Sequence, residues 1–439
     1  MENLLSFKVA DREREAPRGL PLIMAGQWVN LSALMLGGML IEGLSFGGAV
    51  LCVAAGGIVL LAYAVFMGAN GSRTGLPSTA MSAEALGVSG ARCIPALLIC
   101  VASVGWFGVQ AAMCGSSFSA ITEQALGISV STRVTTLFFG ALITASAVYG
   151  YRAAKYLFSV ITPILYAILL FTLIWRAFSS EIGIGAAISA WRPTRPMSYA
   201  QGIALVFGTW AMGAFVTGDL TRYAQKPRDA VTALITGLAP SIPLMLLGGA
   251  VFRALEGTYD ITFILSVMGF PAIALLFLLL SVWAINTVNA YNGGIALGVM
   301  LGLPERRLKA ATVVAGGIGT ILGAAGILSL FTGFLSLISS LVPPVGGVLI
   351  GAKIADMLER RRGGGTEPPG EDARLDPGFH LPGIAAYATG ALAAWLTSTA
   401  YPLFIPPLSG IAVAAVFYAV SFAFKARGGT VRAKAQSKV

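Results

Sequence analysis

The chain has 439 residues, 56% of them hydrophobic, only 11% charged, with a formal net charge of +10. Soluble domains carry about 25% charged residues, so this composition excludes a water-soluble globule and points to a membrane protein. Its apolar residues come in long runs instead of alternating along short strands, which excludes an outer-membrane barrel.

Weakly charged runs long enough to cross a bilayer predict twelve helical spans, near residues 20–40, 46–69, 93–117, 133–150, 155–176, 200–218, 229–254, 263–300, 309–328, 329–352, 382–400 and 404–425. The first follows a polar start containing Lys8, Arg12, Arg14 and Arg18, and no cleavable signal is expected. With both termini inside, the inner segments hold 24 Lys and Arg, and the outer ones hold only Arg133, Arg176, Arg192, Arg195 and Arg253. That asymmetry predicts cytoplasmic termini in a plasma (inner) membrane and accounts for the basic charge without a nucleic-acid partner. The organisation expected is a cytoplasmic segment over 1–19, a ten-helix core over 20–356, a cytoplasmic linker over 357–380, two further helices over 381–425, and a basic tail over 426–439. The stretch RRRGGGTEPPGEDARLDPGF (360–379) marks the linker, read as a solvated loop; its triple glycine lacks the G-K-[ST] of a phosphate loop.

Polar residues within spans are costly and therefore informative. In span 1, Gln27, Asn30 and Ser32 interrupt an apolar run flanked by Gly26, Gly37 and Gly38. This pattern fits either a plain glycine-packed helix or a broken one whose freed carbonyls and helix ends face a ligand. Span 3 places Ser103, Trp106 and Gln110 at offsets 0, 3 and 7, on one face; Trp106 lies mid-span, away from the interfacial belt, and serves either core packing or ring stacking. In span 6, Gly208, Gly213 and Gly218 bracket Thr209 and a second mid-span tryptophan, Trp210, beside an expected break. Asp219 and Arg222 then follow at i, i+3, as a helix-end ion pair or a gate element. Span 8 carries Ser281, Asn286, Thr287, Asn289 and Asn292, with Asn286, Asn289 and Gly293 aligned, for interhelical bonding or for lining a polar cavity.

No Lys, Asp or Glu lies near a span centre, so the ligand expected is neutral. Two tryptophans for its faces and amides for its edge suit a flat heterocycle. Cys52, Cys93, Cys100 and Cys114 sit in apolar stretches without a C-x-x-C pair, and His380 is the single histidine. No cofactor, metal-based hydrolysis or other enzymatic chemistry is therefore expected.

The runs VGWFGV (104–109), TGDLTRY (217–223), INTVN (285–289) and LVPPVGGVLIGAKIAD (341–356), in that order, make the chain resemble the nucleobase:cation symporter family, most nearly its cytosine permease branch. The resemblance runs from about Leu22 to Asp356. It implies a LeuT-like all-α fold, with spans 1–5 and 6–10 as inverted repeats, spans 1 and 6 broken, and spans 11–12 peripheral. It also implies a substrate held between Trp106 and Trp210, with Thr209, Asn286 and Asn289 beside it, and span-1 carbonyls near Gly26, Val29 and Asn30 where sodium-coupled members hold the ion. Two departures stand out. Ser103 occupies the place of a glutamine in the cytosine permease, while Gln110 follows Trp106 by one turn as in hydantoin-type members. Ala284 and Ile285 replace two span-8 hydroxyls, leaving Ser281 as a nearby oxygen.

The reading is a secondary-active importer working by alternating access. Its expected cargo is a pyrimidine nucleobase, cytosine-like, or a derivative such as hydroxymethylpyrimidine. The alternatives are a hydantoin, allantoin or purine permease of the same fold, or a membrane receptor that binds without transporting. The substrate-site candidates are Trp106, Trp210, Gln110, Thr209, Ser103, Asn30, Asn286 and Asn289; Gly26, Val29, Asn30 and Ser281 form a weak sodium set; Asp219 and Arg222 form a gate. Proton or sodium is the coupling ion to be weighed, and the lipid bilayer is the surrounding partner.

Overall fold

The structure, a computed structural model, describes residues 7–16, 19–361, 376–399 and 405–436. Among these residues it contains helices and no β-strand. Span 1 is split into α1 (Leu20–Gly26) and α2 (Leu31–Gly43), bent by 52°. Span 2 is α3 (Phe46–Thr74), and α4 (Ser78–Met81) and α5 (Ala83–Ala91) lead through a π-turn into α6 (Leu97–Leu126), span 3. Spans 4 and 5 are α7 (Thr132–Ala147) and α8 (Gly150–Ser179), and α9 (Ile184–Ala190) connects them to span 6. Span 6 comes in three pieces, α10 (Tyr199–Thr209), α11 (Ala211–Phe215) and α12 (Thr217–Thr221). Then follow α13 (Pro227–Glu256), α14 (Ile261–Val267), α15 (Pro271–Leu301), α16 (Leu308–Ala324), α17 (Phe331–Leu341), α18 (Pro343–Arg361), α19 (Leu381–Thr399) and α20 (Pro406–Gln436).

Among the described residues six helices are long and apolar enough to cross a membrane, and the bent α1–α2 pair makes a seventh. The other predicted spans are present in order, some of them short or interrupted, such as the 16-residue α7 and the 17-residue α16. The run 263–300, expected as one span, is divided at Gly269, whose φ of 88° is left-handed, and at Pro271, which opens α15; neither residue continues a helix.

Helices in lipid gain little from burying apolar surface against one another, so close backbone approach has to supply the contact. A Cβ on Gly37 would strike the Leu246 carbonyl, and one on Gly249 the Leu34 carbonyl, so α2 and α13 meet main chain to main chain.

The N-terminal segment is tied beneath this bundle. Val9 N–H donates to Gly75 O at 2.9 Å, Glu15 N–H to Tyr223 O at 2.7 Å, and Arg14 Nη1 to Ser72 O at 2.7 Å, while Glu15 pairs with Lys155. Residues 362–375 of the predicted linker lie outside the described residues. Its last part, residues 376–380, is largely exposed and is tied to α5, where Val88 N–H donates to Asp376 O (2.8 Å) and His380 N–H to Leu86 O (2.9 Å). The basic tail expected from residue 426 continues α20 as helix to Gln436, and 437–439 lie outside the described residues.

Candidate ligand cavity between the broken spans

In span 1, residues 27–30 leave the helical path and Asn30, extended at φ −151°, caps α2. Its Oδ1 accepts from Ala33 N–H at 3.0 Å and from Ser32 Oγ at 2.6 Å, and its Nδ2 donates to Gln27 O at 3.0 Å. Ser32 Oγ in turn accepts from Gln110 Nε2 at 3.0 Å. These bonds orient the glutamine. A backbone N–H can only donate, so Asn30 presents oxygen; Ser32 gives its single proton to that oxygen; the remaining partner of Ser32 must be a donor, the Gln110 NH2. Gln110 Oε1 is thereby left over, buried and without a hydrogen-bond partner among the described residues.

Span 6 breaks differently. Trp210 (φ −136°, ψ 21°) separates α10 from α11, Val216 separates α11 from α12, and neither junction has a side-chain cap. Ring packing holds the first break, since Gly213 lies against the indole of Trp210 so closely that a Cβ there would collide with it. Thr209 Oγ1 donates back to Leu205 O at 2.6 Å.

The two breaks, with spans 3 and 8, bound a cavity of about 40 Å³. Of the expected site residues, Asn30, Trp106, Gln110, Thr209, Trp210 and Asn289 line it, and no charged side chain among the described residues does. Trp106 meets Phe331 and Phe334 edge to face at 5.8 and 5.9 Å, and Trp210 lies 5.9 Å from Trp28 with the rings tilted by 51°.

Two candidates fall outside the cavity lining. Ser103 is fully buried behind it on the side of Gly293, and Asn286 stands one step away, donating to Phe107 O at 3.2 Å and accepting from Asn289 Nδ2 at 3.0 Å. Asn286 therefore positions Asn289. The cavity adds Gln27, Trp28, Ser32, Met212, Val288 and Asn292, none of them among the expected site residues. Trp28 Nε1 and Asn292 Oδ1 are buried without a hydrogen-bond partner among the described residues.

The sodium set fits a hard cation poorly. Gly26 O accepts from Val29 N–H at 3.2 Å, Asn30 Oδ1 already holds two donors, and Ser281 Oγ donates to Leu278 O at 3.0 Å. Ala284 and Ile285 bring no side-chain oxygen, whereas such ions need several oxygens to replace their water.

Asp219 and Arg222 are both buried, and they turn to different partners instead of pairing side chain to side chain. Asp219 Oδ1 accepts from Ser78 N–H at 2.6 Å, at the start of α4. Arg222 donates to Phe7 O at 2.6 Å, to Tyr291 Oη at 2.8 Å and to the Asp219 backbone carbonyl at 3.1 Å. One helix end thus ties together the N-terminal segment, the connection after span 2, and span 8.

Residues 10–399 match the family described as permease for cytosine/purines, uracil, thiamine, allantoin. The chain belongs to this permease family. It is 29% identical to the cytosine permease of Escherichia coli K12 over 360 residues, 82% of each chain. It is 21% identical to the hydantoin permease of Microbacterium maritypicum over 366 residues, 78% of this chain and 74% of that one. Among solved structures, Mhp1, a nucleobase-cation-symport-1 family transporter in a closed conformation with bromovinylhydantoin bound, superposes with a TM-score of 0.79 at 19% identity, covering 96% of both chains. A Na+-coupled sialic acid symporter superposes at 0.68 with 12% identity, over 96% of this chain and 92% of that one. The fold is the LeuT-like one, a polytopic helical transporter with spans 1 and 6 broken, and the permease family's members are transporters, not enzymes.

Proposed function

We propose that this permease imports a neutral, flat heterocycle, a pyrimidine nucleobase or pyrimidine derivative, by alternating access across the plasma (inner) membrane with its termini in the cytoplasm. The observation that carries the reading is the uncharged cavity at the two helix breaks, where Trp106 and Trp210 supply ring faces and Gln110, Asn289 and Asn292 supply amides. Stacking on the indoles holds any flat ring, and the amides choose among rings. A hydantoin is the second reading, because Gln110 follows Trp106 by one turn as in the hydantoin-type members the sequence resembles. Asp219 and Arg222 act as the cytoplasmic gate, because opening that side requires the Phe7 and Ser78 bonds to part. The poor oxygen set at Gly26, Val29, Asn30 and Ser281 supports transport independent of sodium, proton-driven or facilitated.

The test is initial uptake in proteoliposomes, at fixed pH and membrane potential, of cytosine, uracil, hydroxymethylpyrimidine, hydantoin, allantoin and adenine. Saturable uptake of a pyrimidine is expected, unchanged when choline replaces sodium. Binding without uptake would make the chain a receptor; collapse of uptake in choline would overturn the sodium-independent reading.

A further inference from the structure

We propose that Trp28 reads the ligand through its indole N–H, and that with Gln110 and Asn292 it selects rings presenting a carbonyl oxygen beside N–H donors, the edge of a cyclic amide or ureide. The inference rests on the cavity being the heterocycle site and assigns its donor.

Trp28 sits in the non-helical stretch between α1 and α2, lines the cavity, and is 1% exposed. Its Nε1 has no partner, although buried indole nitrogens ordinarily find one. An apolar wall would be served by phenylalanine or leucine without a buried N–H to desolvate. The neighbouring polar donors of span 1 are engaged elsewhere. Gln27 Nε2 turns to Ile23 O at 3.5 Å and Met24 Sδ at 3.7 Å, Asn30 closes its own turn, and the Ser32 hydroxyl is shared between Asn30 and Gln110. Across the cavity, the fully buried atoms left without a partner among the described residues are both acceptors, Gln110 Oε1 and Asn292 Oδ1. The fully buried lining atoms without a partner among the described residues are thus one donor and two acceptors, and a ligand that satisfies all three brings one acceptor and two donors. A neutral ring with an –NH–CO–NH– edge does so; a carboxylate, with acceptors only, does not.

The experiment measures equilibrium binding to the purified full chain of three pairs differing only in the acceptor, uracil and 2-thiouracil, cytosine and 2-thiocytosine, hydantoin and 2-thiohydantoin, because thiocarbonyl sulfur accepts hydrogen bonds poorly. The substitutions are Trp28→Phe and, to remove the N–H from an otherwise isosteric ring, Trp28→3-benzothienylalanine. The unsubstituted chain is expected to prefer the oxo member of at least one pair by about tenfold, the scale of one hydrogen bond. In the benzothienyl variant the preference should vanish while affinity for the thio member holds; Trp28→Phe should lose it likewise. Full oxo preference in the benzothienyl variant would overturn the assignment. Equal loss of oxo and thio binding would overturn it too, marking a packing role. If the unsubstituted chain binds none of the six, the heterocycle reading of the cavity fails, and this proposal with it.

Discussion

The breaks in spans 1 and 6 face the same cavity and are built on opposite plans. Span 1 opens at a turn whose polar groups close on one another: Asn30 caps α2 and holds Gln27, and Ser32 passes the link to Gln110 on span 3. Span 6 opens without a capping side chain, its backbone bonded locally (Ala214 N–H to Trp210 O, 2.8 Å) and the Trp210 indole packed over Gly213. Hydrogen bonds have narrow geometry, so the span-1 break places amides in fixed orientations. Ring packing tolerates rotation better, so the span-6 break is the part suited to move when a ligand enters.

The largest effect should come from filling the packing-held break. In Gly213→Val the added carbons meet the Trp210 ring directly, and overpacking of this kind costs about 1–3 kcal/mol. Ligand binding should fall by roughly 150-fold, the upper end of that range, with Trp210→Phe in the same chain recovering part of the loss. Binding at the unsubstituted level in Gly213→Val would show that the ring is free to leave Gly213 at no cost.

Removing the rings comes next. Trp106→Ala and Trp210→Ala should each weaken binding by roughly 5- to 150-fold, as stacking worth about 1–3 kcal/mol implies. Trp106 also packs on Phe331 and Phe334, so its loss should lower the melting temperature more than the loss of Trp210 does. Two folded variants that bind the best ligand like the unsubstituted chain would make both tryptophans core residues.

The contrast between the breaks also marks what the sequence makes legible. Glycines beside polar residues within apolar runs locate both breaks, and mid-span tryptophans locate two cavity walls. Helical periodicity fails at Trp28, because residues 27–30 are not helical and no offset predicts which way a side chain faces there. On span 8 the error is one of phase. Aligning Asn286, Asn289 and Gly293 points the polar stripe correctly at Asn289, yet the cavity takes Ile285, Val288, Asn289 and Asn292, about one residue step around the helix from Asn286. Ser103 misses for a similar reason, being turned from the cavity that Trp106 and Gln110 line.

On the hydrogen-bonded side, Asn30→Ala removes a helix cap, which typically costs about 1 kcal/mol. The melting temperature of the ligand-free chain should drop, and Asn30→Ser, which keeps a capping oxygen without a charge, should restore part of it. A Tm unmoved by alanine would show that packing alone holds the span-1 turn.

The smallest and most selective effect should follow Ser32→Ala. The hydroxyl accepts from Gln110 Nε2 at 3.0 Å and donates to Asn30 Oδ1 at 2.6 Å, so its loss leaves the cap bonded to Ala33 N–H but releases the glutamine. A single hydrogen bond contributes about 0.5–1.5 kcal/mol net, and the lost amount comes mainly from orientation, since the Gln110 amide can then present nitrogen or oxygen to a ligand edge. The order in which the heterocycles raise the melting temperature should therefore change, donor-rich edges losing their advantage over acceptor-rich ones, while the Tm without ligand stays nearly constant. Ser32→Thr keeps the hydroxyl and should keep the order. An unchanged ranking in Ser32→Ala would mean that neighbours on span 3 hold Gln110, and that the span-1 break does not reach across the cavity to set what the permease reads.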